Sequence, residues 1–82
     1  MGLTEIKMLL KLYEKPLNKT NLAKIFWRIK KSTREEILKN LMLNNLIYAK
    51  EMPKPKTKKT PIYYFLTEKG TIWISNYIMH LP

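Results

Sequence analysis

The chain has 82 residues, and 16 Lys or Arg against 6 Asp or Glu give a formal charge of +10. That length allows one domain with a modest core, and the charge favours a polyanion, nucleic acid above all, over neutral partners. The absence of cysteine excludes a disulfide framework and a thiolate metal site, and no apolar run is long enough for a transmembrane helix.

Leu3, Ile6, Leu9, Leu10 and Tyr13 recur at helical spacing and predict a first helix over 3–14, with Met8 and Leu12 off its inward stripe. Glu5, Lys7 and Lys11 interrupt what would be the apolar region of a signal peptide, so a soluble, cytoplasmic protein is expected. Lys15-Pro16 ends the helix, because a residue before proline is pushed out of the α region. Asn18 reads as the N-cap of a second helix over 19–28, carrying Leu22, Ala23, Ile25 and Phe26 inward.

Ser32-Thr33-Arg34-Glu35-Glu36 reads as a new helix start, with overlapping capping boxes pairing Ser32 with Glu35 or Thr33 with Glu36. The third helix runs over 33–44, with Ile37, Leu38 and Leu41 inward. Asn44-Asn45 is its stop, since asparagine tolerates the left-handed conformation. The period then changes. Leu46 to Glu51 and Ile62 to Leu66 read as two strands of an antiparallel hairpin over 46–66. Between them lies a proline-broken tract with Lys54, Lys56, Lys58 and Lys59, crowded at the tip of that hairpin. Thr67 caps a last helix over 68–80, where Ile72, Trp73, Ile74, Tyr77, Ile78 and Leu81 cover more than one face.

The predicted class is mainly α with a small β-hairpin. Leu38 and Leu41 leading to Asn45-Leu46-Ile47 resemble the end of the recognition helix and start of the wing in MarR-like and PadR-like transcriptional regulators. Tyr64-Phe65-Leu66-Thr67-Glu68-Lys69-Gly70 is similar to the segment that closes the wing in those families, and Leu22-Ala23 to the Leu-Ala of their second helix. The resemblance covers about residues 17–71 and implies a winged helix-turn-helix domain. Asn45 stands where those families usually have glycine, and the turn after Leu22-Ala23 is slightly longer and lacks its glycine.

That fold implies duplex DNA as partner, with the third helix in the major groove and the hairpin tip on backbone or minor groove. Its outward face holds Ser32, Thr33, Glu36, Lys39 and Asn40. Arg34 is the candidate for guanine and Asn40 for adenine. Ser32, Thr33, Lys30 and Lys31 are candidates for phosphate, at a helix N-terminus. From Lys19 to Arg34 there are six basic residues and no acidic one. The capping role is the preferred reading of Glu35 and Glu36, and core packing or shielding of the turn that of Trp27. Trp73, Tyr77, Ile78 and Leu81 are the expected homodimer interface, with Met8 and Leu12 available to join it. His80 is alone, so no metal or other cofactor is expected, and no convergent acid–base or nucleophilic set suggests an enzyme. The competing readings are a protein-interaction module or a non-specific DNA-compacting protein. RNA binding ranks lower for want of an evident aromatic platform on a sheet. The lysine, isoleucine and asparagine richness fits an AT-rich microbial, plasmid or viral genome.

Overall fold

Proline at position 16 does more than end a helix. Lys15 is fully extended, and the chain stays extended through Leu17-Asn18. In the computed structural model, which describes residues 2–52 and 60–81, this short stretch becomes a strand that sequence periodicity did not predict. The elements run α1 (Leu3–Glu14), β1 (Leu17–Asn18), α2 (Lys19–Ile25), α3 (Lys31–Leu43), β2 (Ile47–Glu51), β3 (Ile62–Leu66) and α4 (Glu68–Met79). The sheet order is β1-β3-β2, antiparallel throughout, with Leu17 opposite Tyr64 and Ala49 opposite Tyr64 on the other side.

The core gathers Met8, Leu9 and Leu12 of α1, Leu17, Leu22 and Phe26, then Ile37, Leu38 and Leu41 of α3, with Leu46, Ile47, Tyr64 and Ile74. The inward face of α1 therefore differs from the expected one. Met8 and Leu12 are buried, whereas Leu3 is 64% exposed and Tyr13 also faces out. The helix carries two overlapping apolar stripes at helical spacing, and docking against α4 and β3 selects between them. Burial raises the Tyr64 hydroxyl pKa above the ordinary 10.0, and the negative charge of Glu35 adds to the rise.

The helix limits around the α2–α3 turn also shift. α2 stops at Ile25, which is exposed rather than inward, and Phe26 leaves the helical conformation while its N–H still bonds Leu22 O. α3 starts at Lys31, with Lys30 at the N-cap position and Arg34 N–H bonding Lys30 O as its first helical bond. Ser32 and Thr33 thus lie inside the first turn, and neither expected capping box forms. The reciprocal box is instead at α2. Asn18 Oδ1 accepts from Asn21 N–H at 2.8 Å, and Asn21 Oδ1 from Asn18 N–H at 3.3 Å.

The end of α3 and the start of α4 are locked together. Asn45 takes the left-handed conformation, φ 58°. Leu46 N–H then bonds Leu41 O and Asn45 N–H bonds Met42 O, the Schellman pattern that satisfies the last helical carbonyls. Thr67 Oγ1 donates to Asn45 O and accepts from Gly70 N–H at 3.0 Å, capping α4, while Lys69 Nζ donates to Asn44 O at 3.1 Å. Gly70 lies so close to Leu46 that a Cβ there would sit 1.9 Å from its carbonyl oxygen. The Thr-x-Lys-Gly segment is a structural joint, and each of its three fixed residues has a contact to make.

Candidate nucleic-acid interface

Because Ile37, Leu38 and Leu41 are buried, the helical period turns Ser32, Glu36, Lys39 and Leu43 directly outward, with Thr33, Glu35 and Asn40 beside them. All seven are exposed. Leu43 is the member that sequence reasoning missed. The N-terminus of α3 has no side-chain cap and no acidic residue in its first turn, and the exposed Lys30 and Lys31 flank it. Unbonded amides and the helix dipole leave that end positive.

Arg34 is placed differently from the rest. It is half-buried, and its Nη1 donates to Ile29 O at 2.5 Å and to Phe26 O at 3.4 Å. The guanidinium bridges the turn to the helix, so part of its donor set is engaged inside the protein rather than held out for a base. Trp27 corrects the core expectation in the opposite sense: it is 69% exposed, with the Arg28 guanidinium 5.0 Å from its ring centroid. Phe26 takes the inward position at the end of α2, which sends its neighbour out.

The hairpin stem is paired through β2 and β3 and closed by Met52 N–H on Pro61 O at 3.0 Å. Lys54, Lys56, Lys58 and Lys59 lie outside the described residues. On the sheet itself, Tyr48 and Phe65 stack with centroids 5.3 Å apart on the face turned from the core, so an aromatic group is present where none was expected. Alternation along β3 was the available signal, since it puts Tyr63 and Phe65 opposite Tyr64.

On α4, Trp73 and Tyr77 stack at 5.9 Å and pack partly against the core, whereas Ile72, Ile78, Met79 and Leu81 are exposed. Met8 and Leu12, expected to extend this surface, are core residues. Tyr13, Ile25, Trp27 and Ile78 instead line one cleft of about 760 Å³ between α1, the α2–α3 turn and the end of α4. His80 Nδ1 is 2.6 Å from Asn76 O. Among the described residues no three His, Cys, Asp or Glu are grouped to hold a metal, and no helix is long and apolar enough to cross a membrane.

No family model and no curated protein matches the sequence. Solved structures do match. A double mutant of ZitR from Lactococcus lactis superposes with a TM-score of 0.81 at 20% identity, covering 98% of this chain and 52% of that one. A PadR family transcription regulator from Clostridium difficile gives 0.81 at 22% identity, covering 95% and 85%. The adhesin competence repressor AdcR of Streptococcus pyogenes gives 0.78 at 21% identity, covering 98% and 57%. The fold is a winged helix-turn-helix. At these identities the likeness is one of fold, and the chain spans only about half the length of ZitR. Within this winged helix, α2 and α3 are the helix-turn-helix, β2 and β3 the wing stem, and α4 the helix that follows it.

Proposed function

We propose that this winged helix binds double-stranded DNA sequence-specifically, as a small cytoplasmic, nucleoid-associated transcriptional regulator. α3 enters the major groove, and the lysines between β2 and β3 lie on backbone or minor groove. The observation that carries this reading is the exposed, uncapped N-terminus of α3, flanked by Lys30 and Lys31 and free of acidic residues in its first turn. Helix amides and the hydroxyls of Ser32 and Thr33 suit phosphate there. Lys39 and Asn40 follow on the outward side, and Asn40 is the base reader, with the two-point geometry that adenine accepts. Arg34 fixes the angle at which α3 leaves the turn. Glu36, exposed on the same face, counts against deep insertion because its carboxylate repels phosphate.

The protein pairs with a second copy through the exposed end of α4, Ile78 and Leu81 above all, with Trp73 and Tyr77 beside them and Tyr13 and Trp27 across the cleft. The transcription regulators whose structures it resembles lend the DNA reading support through fold. A gel shift against selected and random duplexes at two salt concentrations tests it. With about four to six phosphates neutralised per protomer, log affinity falls with log salt at a slope of about −4 to −5. Affinity that ignores salt, or that ranks selected and random duplexes equally, overturns it.

A further inference from the structure

The outer face of the sheet carries side chains that neither the core nor the α3 surface uses. Strand alternation sends Leu17, Ile47 and Tyr64 inward, where all three are buried. The same alternation puts Tyr48, Lys50, Tyr63 and Phe65 together on the opposite face, in register as Tyr48 with Phe65 and Lys50 with Tyr63. Tyr48 is 45% exposed, Lys50 is exposed, and Tyr63 and Phe65 are half-buried. Asn18 stands opposite Tyr63 on β1, so none of the five residues sharing this face is acidic.

A cross-strand aromatic pair steadies a hairpin, which accounts for the stacking of Tyr48 on Phe65. It does not account for a further tyrosine beside a lysine on the same open surface. We propose that this face binds single-stranded nucleic acid, with unpaired bases stacked on Tyr48 and Tyr63 and Lys50 at a phosphate. The occupant follows from complementarity. Rings on an open sheet take the flat face of any base, and a basic chain of +10 holds the backbone between them. A duplex keeps its base faces buried in its own stack, so this surface takes what the α3 surface cannot. The site does not depend on the duplex reading, because it lies on the sheet face turned away from the core and from α3.

The experiment compares fluorescently labelled dT and U oligonucleotides with an abasic deoxyribose-phosphate chain of the same length and charge, by anisotropy on the intact protein. Stacking predicts that one or both base-bearing chains bind at least about tenfold more tightly than the abasic one, and the stronger of the two identifies DNA or RNA as the source. Tyr48→Leu with Tyr63→Leu removes that preference and leaves duplex affinity unchanged, while Tyr48→Phe retains it. Asn40→Ala lowers duplex affinity and leaves oligonucleotide binding as it was, so failure of one site is distinguishable from failure of the other. Equal affinity of the wild-type protein for base-bearing and abasic chains overturns the proposal, whatever the variants do, and so does a folded double-leucine variant that still prefers bases.

Discussion

Arg34 on α3 reaches back to the α2–α3 turn and donates from Nη1 to the carbonyl oxygen of Ile29 at 2.5 Å. With the longer bond to Phe26 O, it ties α3 to a turn that contains no glycine. Arg34 thus has a structural role within α3, and the prediction for its removal follows from that role. Arg34→Ala loses about 1.5 kcal/mol of stability, the lower end of the range for a charged donor because the site is only half-buried. It weakens binding to specific and random duplexes by similar factors, since the whole helix is misplaced. Asn40→Ala instead costs about 1–3 kcal/mol on a selected site and far less on random DNA. Urea titration paired with gel shifts on both duplexes separates the two behaviours.

The joint between α3 and α4 yields a second prediction. Thr67→Ala removes the cap on Gly70 N–H and the bond to Asn45 O together, for a loss of about 1–2 kcal/mol. Gly70→Ala has nowhere to put its methyl except against the Leu46 backbone, and costs about 2–3 kcal/mol or prevents folding. Asn45→Gly is neutral or slightly stabilising at φ 58°, whereas Asn45→Ala costs about 1 kcal/mol. Thermal melts should fall in the order Asn45→Gly, Asn45→Ala, Thr67→Ala and Gly70→Ala, the last being the lowest.

The sequence carried the fold through exactly such local chemistry as this joint: Asn45 was expected left-handed and is, Thr67 was expected to cap and does, and the two long strands fall where alternation put them. The α2–α3 turn was less legible. Ser32 and Thr33 look like caps in isolation, but the helix begins at Lys31 and Arg34 bonds back to the turn carbonyls of Ile29 and Phe26, a contact that capping patterns do not encode. The face of α1 was misassigned because two stripes of equal spacing compete and only docking chooses. β1 is two residues long and exists because β3 is beside it, so its own sequence gives no strand signal.

Tyr64 makes stability depend on alkaline pH. Its folded pKa is raised, by burial first and the Glu35 charge second, so the neutral phenol is the form that the fold prefers. The stability it contributes is fully present below the unfolded value of 10.0 and is lost as pH rises through the raised folded value. Tyr64→Phe removes this proton linkage. The variant should match the wild type within about 0.5 kcal/mol at neutral pH and become the more stable of the two in strongly alkaline buffer. Glu35→Gln should shrink the alkaline loss without abolishing it, because burial remains. Melting temperatures measured below and above 10.0 that move in parallel for wild type and Tyr64→Phe would contradict this account.

Association of two copies is the last expectation, and the structure alters which substitution tests it. Trp73 and Tyr77 pack partly against the core, so a charge at either position would damage the monomer as well as any interface. Ile78 and Leu81 are exposed at the end of α4, and Leu81 is 52% accessible. Ile78 also lines the cleft where Tyr13, Ile25 and Trp27 turn outward, so the apolar surface is shared by three elements rather than one helix. Exposed apolar patches of this kind are common at interfaces between chains. Two recognition helices brought together through it would read half-sites about one DNA turn, roughly 34 Å, apart. Sedimentation at micromolar concentration should therefore give twice the 9.9 kDa of one chain. Leu81→Glu or Ile78→Glu should return the mass to that of one chain with the melting curve of the isolated fold preserved, and should weaken binding to a double site far more than to a single half-site. A species of 9.9 kDa for the wild type at every concentration, indifferent to both substitutions, would mean that the two copies do not pair.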